Sequence, residues 1–188
     1  GGVAGNAAAQ NIQNFAFATN GAFHQTAMNF TGQNVGAKRF DRVKKIATIS
    51  FLITGILGVI IGVLMTLFAK PLVSIYVTDS ASAIQWGVTR MWYICLPFFV
   101  AGIMDIATGI LRGMGCSIFP MFASIFGICV LRVVWIFTIF QLPQFHTPQN
   151  LWLSYVISWV ITFVVEYVML KILISKKLKE QYEVNNEN

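Results

Sequence analysis

Along the chain, apolar residues fall in long runs rather than alternating with a period of two, and the breaks between runs carry Gly, Pro and charge. Five runs exceed the about 20 residues that a helix needs to cross a bilayer. They are span A, Ala7–Phe30; span B, Ile46–Ala69; span C, Gly87–Leu111; span D, Ile118–Phe140; and span E, Leu151–Ile174. Gly32 and Gly36 follow A, Pro71 follows B, Gly113 and Gly115 follow C, and Pro143 and Pro148 follow D, which is turn chemistry at each connection. None of these connections has room for a soluble domain. The pattern predicts an all-α fold, a polytopic membrane helix bundle over residues 1–175, followed by a polar, loosely ordered tail over residues 176–188.

Composition sharpens the class. Only 11% of the residues are charged and 56% are hydrophobic, whereas soluble domains carry about 25% charge. The first 37 residues, Ile46–Ala69 and Val133–Val165 hold no charge at all. A net charge of +6 could suggest nucleic acid, but the basic residues bracket apolar runs instead of forming a stripe with exposed aromatics. The partners implied are a lipid bilayer and no nucleic acid. Cys95, Cys116 and Cys129 are an odd count with two members inside apolar runs, so they read as small packing residues and not as a disulfide framework.

Charge also sets orientation. With the A–B loop cytoplasmic, Lys38, Arg39, Arg42, Lys44, Lys45, Arg112, Lys171, Lys176, Lys177 and Lys179 lie inside, and only Lys70 and Arg90 lie outside. The tail is then cytoplasmic, span A runs inward, and at least one further span is expected before Gly1. The start, which has no initiator Met and no signal-peptide pattern, reads as cut from something longer.

Span A departs from the others. Gln10, Asn11, Gln13, Asn14, Asn20, His24, Gln25 and Asn29 share roughly half of its circumference, with Ile12, Phe23 and Phe30 opposite. An amide-lined half without fixed charge suits the wall of a water-filled cavity, with the apolar half facing lipid; interhelical hydrogen bonding is the simpler alternative. The substrate-cavity candidates are therefore Gln10, Asn14, Asn20, His24 and Gln25. His24 has no second ligand at helical spacing, so no metal site is expected. His146 reads as a solvated loop residue.

Three ionisable groups lie within apolar spans: Asp105 in C, Arg132 in D and Glu166 in E. Such groups are costly in hydrocarbon and are paired or functional. Asp105 and Arg132 are candidates either for a structural pair or for ion coupling. Glu166, five residues from Lys171, is expected to snorkel to the interface. Pro97 should kink span C, and with Gly102 it is the gating candidate. Gly58/Gly62 and Gly109/Gly113 are small-xxx-small pairs that permit close helix approach. No catalytic signature is present: there is no GxSxG, HExxH or CxxC, and no phosphate loop follows a strand, so the chain reads as no enzyme and with no cofactor.

Two segments resemble a known family. Thr31-Gly32-Gln33-Asn34-Val35-Gly36-Ala37-Lys38-Arg39 at the end of span A is similar to the G-Q-x-x-G-A segment of the multidrug and toxic compound extrusion (MATE) transporters. Leu111-Arg112-Gly113-Met114-Gly115, followed by Ser117 and Pro120, resembles that family's L-R-G-x-G segment. The resemblance implies a twelve-helix cell-membrane transporter of two six-helix lobes, of which this chain is the second, C-terminal lobe lacking its first helix. It further implies a missing N-terminal lobe as partner. The implied function is export of small organic, cationic drugs or toxic metabolites by Na⁺ or H⁺ antiport. Family members that use an acid in the second lobe carry one on the helix matching span C. Here Ala101 stands where some of them have it, eight positions before Gly109, which leaves the coupling ion open. The alternatives are a lipid-linked precursor flippase of the same superfamily, which should line its cavity with cations, and a non-transporting scaffold, which has no use for an amide-lined half-helix.

Overall fold

The computed structural model describes residues 2–78 and 80–186, and every regular element among them is helical. The order is α1 (Gly2–Gly36), α2 (Phe40–Leu67), α3 (Ala69–Tyr76), α4 (Ala81–Cys95), α5 (Phe98–Gly113), α6 (Ile118–Ser124), a π-helical turn (Ile125–Val130), α7 (Leu131–Phe137), two short 3₁₀ turns and α8 (Pro148–Asn186). Three stretches are long and apolar enough to cross a membrane: Phe40–Leu67, Ile118–Gln141 and Pro148–Val184. The α4–α5 pair, bent by 45°, makes a fourth. With 35 residues α1 is about 52 Å long, and only its amide content keeps it out of that group.

The α4–α5 break falls where Pro97 was expected to act. Pro97 has no N–H to donate, so α4 ends at Cys95 and α5 starts at Phe98. The small-xxx-small pair of α2 seats on this break. A Cβ at Gly58 would meet the Phe99 Cα at 2.8 Å, and one at Gly62 would meet the Cys95 carbonyl oxygen at 2.4 Å. Only glycine allows the two backbones so close.

Helix α5 is the centre of the lobe. Phe98, Ala101, Ile106, Ala107, Ile110 and Leu111 are buried in it, and α1, α2 and α8 pack around it. One apolar cluster joins Ala27, Val43, Ile106, Ile110, Leu111 and Leu170 from four helices. The outward sides of α2 and α8 expose Ile49, Leu52, Ile56, Val160, Val164 and Val168, an apolar surface that a bilayer covers.

Two expectations are corrected. Pro71 follows the end of α2 at Leu67, whose carbonyl its missing N–H would have met, but it lies in the first turn of α3 and not in the connecting turn. Over residues 176–186 the polar tail is not loose, because α8 continues through it to Asn186, and the last two residues of the expected tail lie outside the described residues. There Lys177 pairs with Glu180 at 2.8 Å, and Gln181 Oε1 accepts from the Phe40 backbone N–H at 3.0 Å, serving a first-turn donor of α2 that has no side-chain cap.

Candidate functional site

Helix α1 runs parallel to the bent α4–α5 span for nearly its whole length. The seam is built from glycine on both sides and from the α1 amides. A Cβ at Gly5 would lie 1.9 Å from the Ala83 carbonyl oxygen; further along, one at Gly109 would lie 2.8 Å from the His24 carbonyl oxygen and one at Gly113 2.6 Å from that of Met28. Between these contacts, Asn6, Gln10 and Gln13 all present side-chain oxygens to the guanidinium of Arg90. Asn20 is buried beside Gly102 and Thr54, and His24 Nδ1 donates to the Asp105 backbone carbonyl at 2.8 Å, since a carbonyl can only accept.

The amides of α1 thus divide. Gln10, Gln13, Asn20 and His24 serve the seam, the hydrogen-bonding alternative that the sequence left open. Asn11, Asn14, Ala18, Gly21, Ala22, Gln25, Asn29 and Gln33 are exposed, at i, i+3, i+4 spacing along one stripe, with the exposed rings of Phe15 and Phe30 beside it. Within the stripe Gln25 Nε2 donates to Asn29 Oδ1 at 3.0 Å, and Gln10 Nε2 donates to Asn14 Oδ1 at 3.2 Å, linking seam to stripe. Ile12 and Phe23, expected on a lipid side, instead pack inward, because the α1 flank between seam and stripe meets the core. The stripe is an exposed face of α1. Concavities of about 670 Å³ and 690 Å³ open elsewhere, beside Trp92 and Tyr93 on α4 and beside Phe40 and Gln181.

The ionisable groups fall into two places. Arg90, expected outside the bilayer, lies well inside α4 and is 5% exposed, because that helix starts at Ala81 and not near Gly87. Its counterparts are three neutral amides. Arg132 does not meet Asp105. Its Nε donates to Ser158 Oγ at 3.1 Å, and its guanidinium lies 3.9 Å from the centre of the Tyr155 ring, so α8 holds it. Among the described residues the ion pairs are Arg39–Asp41 and Lys177–Glu180, both at the surface. Asp105 is half-buried on α5. Glu166, expected at the interface, is fully buried against Thr108, whose Oγ1 lies 2.7 Å from Glu166 Oε2. The reason is rotational: Glu166 projects from the side of α8 that meets α5, so the interface is out of its reach although Lys171 is near in sequence.

Sequence reasoning thus missed Asn6 and Gln13 as ligands of Arg90, and the Thr108–Glu166 contact. The spacing of Asn6, Gln10 and Gln13 was a usable signal, since i, i+4, i+7 places three amide oxygens on one line of a helix.

The chain matches the MatE family over residues 2–138, which is most of its length. It belongs to the MatE family. Over 105 residues it is 26% identical to "Probable multidrug resistance protein YoeA" of Bacillus subtilis (strain 168), a match covering 55% of this chain and 22% of that protein. The fold is similar to a solved structure described as the inward-facing conformation of a multidrug resistance MATE family transporter of the MOP superfamily, with a TM-score of 0.80 and 14% identity, over 91% of this chain and 39% of that one. The chain therefore spans well under half of the length of either relative.

In this MatE chain the two motif segments turn out to be the same structural device. At the end of α1, Lys38 takes a left-handed φ of 56°, while Arg39 N–H donates to the Asn34 carbonyl and Lys38 N–H to that of Val35. At the end of α5, Gly115 takes φ 83°, while Cys116 N–H donates to the Leu111 carbonyl and Gly115 N–H to that of Arg112. Both are Schellman closures that satisfy the last carbonyls of a helix. They end two neighbouring parallel helices at one level, where Gly113 packs on Thr31.

Proposed function

We propose that this MatE chain is the second lobe of a secondary transporter that exports organic cations by antiport with Na⁺ or H⁺. The observation that carries the reading is the exposed stripe of α1. Amides cannot face hydrocarbon without loss of hydrogen bonds, so the stripe of Asn11, Asn14, Gln25 and Asn29 calls for a watered cavity or a second lobe over it. Small residues at Ala18, Gly21 and Ala22 leave room there, and Phe15 and Phe30 offer ring faces to a cation. No lysine or arginine lies on the stripe, which argues against a pyrophosphate-bearing lipid as cargo.

Coupling falls to Asp105, the half-buried carboxylate of α5, one helix-to-helix contact from His24 on α1. Pro97, at the 45° break, supplies the hinge, and Gly102, clasped between Asn20 and Thr54, is the point that must loosen when α5 swings. Positive charge in the A–B loop and the last turns of α8 supports a cytoplasmic side for both. The test is efflux of ethidium from proteoliposomes holding the complete transporter. Asn14→Leu with Gln25→Leu should weaken ethidium binding, and Asp105→Asn should leave folded protein that no longer responds to an ion gradient. Normal ion-driven efflux by both variants would end the reading.

A further inference from the structure

The carboxyl of Glu166 has no part in the reading above, and its surroundings do not suit a charge. It is 0% exposed, among α5, α6 and the π turn. Oε2 lies 2.7 Å from Thr108 Oγ1, and that same Oγ1 lies 3.3 Å from the Met104 carbonyl oxygen. A hydroxyl has one hydrogen, and two acceptors compete for it. Glu166 Oε1 is buried with no hydrogen-bond partner, although the Ser124 hydroxyl stands beside the carboxyl. With a hydrogen on the carboxyl both contacts of Thr108 are served, Oε2–H donating to Thr108 Oγ1 and Thr108 donating onward to Met104, and Oε1 is left as the carbonyl oxygen of a neutral acid, for which a missing partner costs less than for a carboxylate.

The charged groups acting on Glu166 are Asp105 and Arg112, both from α5. The other elements around α8 offer none. Helix α6 has no acid or base and the π turn has Cys129; Arg132 of α7 is turned to Ser158 and Tyr155, Arg90 of α4 lies in the α1 seam, and Asp41, Lys44 and Lys45 occupy the first turns of α2.

We propose that Glu166 is a proton-carrying residue of the transport cycle, an inference that rests on the efflux reading and adds a site on α8 to it. On release the Oε2–H bond breaks and its electron pair stays on the oxygen. Thr108 turns its hydrogen from Met104 to the new carboxylate, and the proton leaves to water that reaches the half-buried Asp105. The π turn is placed to register the change. Ser124 precedes it, and a Cβ at Gly127 within it would lie 2.1 Å from Thr162 Oγ1, one turn before Glu166 on α8. A π turn inside an α-helix is a place where register shifts cheaply.

The test uses the complete transporter, purified and weakly buffered, with a pH indicator and two probes, ethidium and tetraphenylphosphonium. Wild type should release about one more proton per molecule on probe binding than Glu166→Gln does. Glu166→Gln should lose efflux driven by a pH gradient, and its affinity for the probe should no longer change with pH, because the amide has no proton to exchange for the probe. Thr108→Val should keep efflux but displace its pH midpoint by about one unit, the equivalent of one lost hydrogen bond. Equal proton release by wild type and Glu166→Gln overturns the inference. If Glu166→Gln does not reach the membrane, an unmoved midpoint in Thr108→Val overturns it instead. A wild type that binds and exports neither probe refutes the efflux reading itself and the inference with it, whereas export without proton release refutes the inference alone.

Discussion

Two glycines of α2, Gly55 and Gly62, offer a matched test of whether the bend in the α4–α5 span is held from outside. A Cβ at Gly62 would stand 2.4 Å from the Cys95 carbonyl oxygen and 3.2 Å from that of Leu96, both backbone atoms. Contacts below 3.0 Å are not tolerated, so Gly62→Ala must push α2 from the break by about 0.6 Å, the difference of the two distances. Overpacking of this kind costs about 1–3 kcal/mol, against a helix-propensity gain of about 1 kcal/mol for Gly→Ala. At Gly55 the nearest atom is Ile103 Cγ2 at 3.8 Å, an ordinary contact, and only the gain applies. Gly62→Ala should therefore be less stable than Gly55→Ala by roughly 1–3 kcal/mol, a separation of about 2–12 °C in thermal unfolding for a chain of this size. Thermal melts of the two variants in the same detergent read this directly. Equal shifts, or a Gly62→Ala protein that is the more stable of the two, would refute the claim that the close seat of α2 holds the break.

Arg90→Met keeps the length of the side chain but gives Asn6, Gln10 and Gln13 nothing to bind, and should destabilise the lobe by roughly 1–3 kcal/mol in the same melts; an unchanged melting temperature would show that the α1–α4 seam stands on its glycines alone. Cysteines replacing Asn14 and Gln25 should react with a water-soluble maleimide in the complete transporter, and those replacing Gln13 and Asn20 should not, because the first pair is exposed and the second buried. Labelling of all four at one rate would remove the distinction between stripe and seam. Cysteines at Asp41 and Gln144 should label from opposite faces of the membrane, and labelling of both from one face would overturn the orientation read from charge.

The class of this protein was legible in its sequence because hydrocarbon imposes a one-dimensional rule: long runs without charge, broken by glycine, proline and basic residues, must be helices. Span E lies inside its helix, and spans B and D match theirs to within a few residues, for that reason, and the kink at Pro97 follows from a missing N–H that no tertiary contact can replace. The two family motifs were visible too, and each is a local helix closure. What the sequence left open depends on rotation about helix axes and on which helix stands opposite. The amide half of span A was visible as a pattern, yet only α4 and α5 decided that Gln10, Asn20 and His24 turn inward while Asn14 and Gln25 stay exposed. Arg90, near the start of span C, was counted on the outer side because the polar first turns of α4 hid the start of its helix. Asp105 and Arg132 were each conspicuous alone, and Tyr155 and Ser158 of α8 took the arginine away. Glu166 sits near Lys171 in the chain, but its bearing on α8 points it at Thr108, and a carboxyl's surroundings are fixed by bearing and by neighbouring helices, which no spacing along one strand of sequence contains.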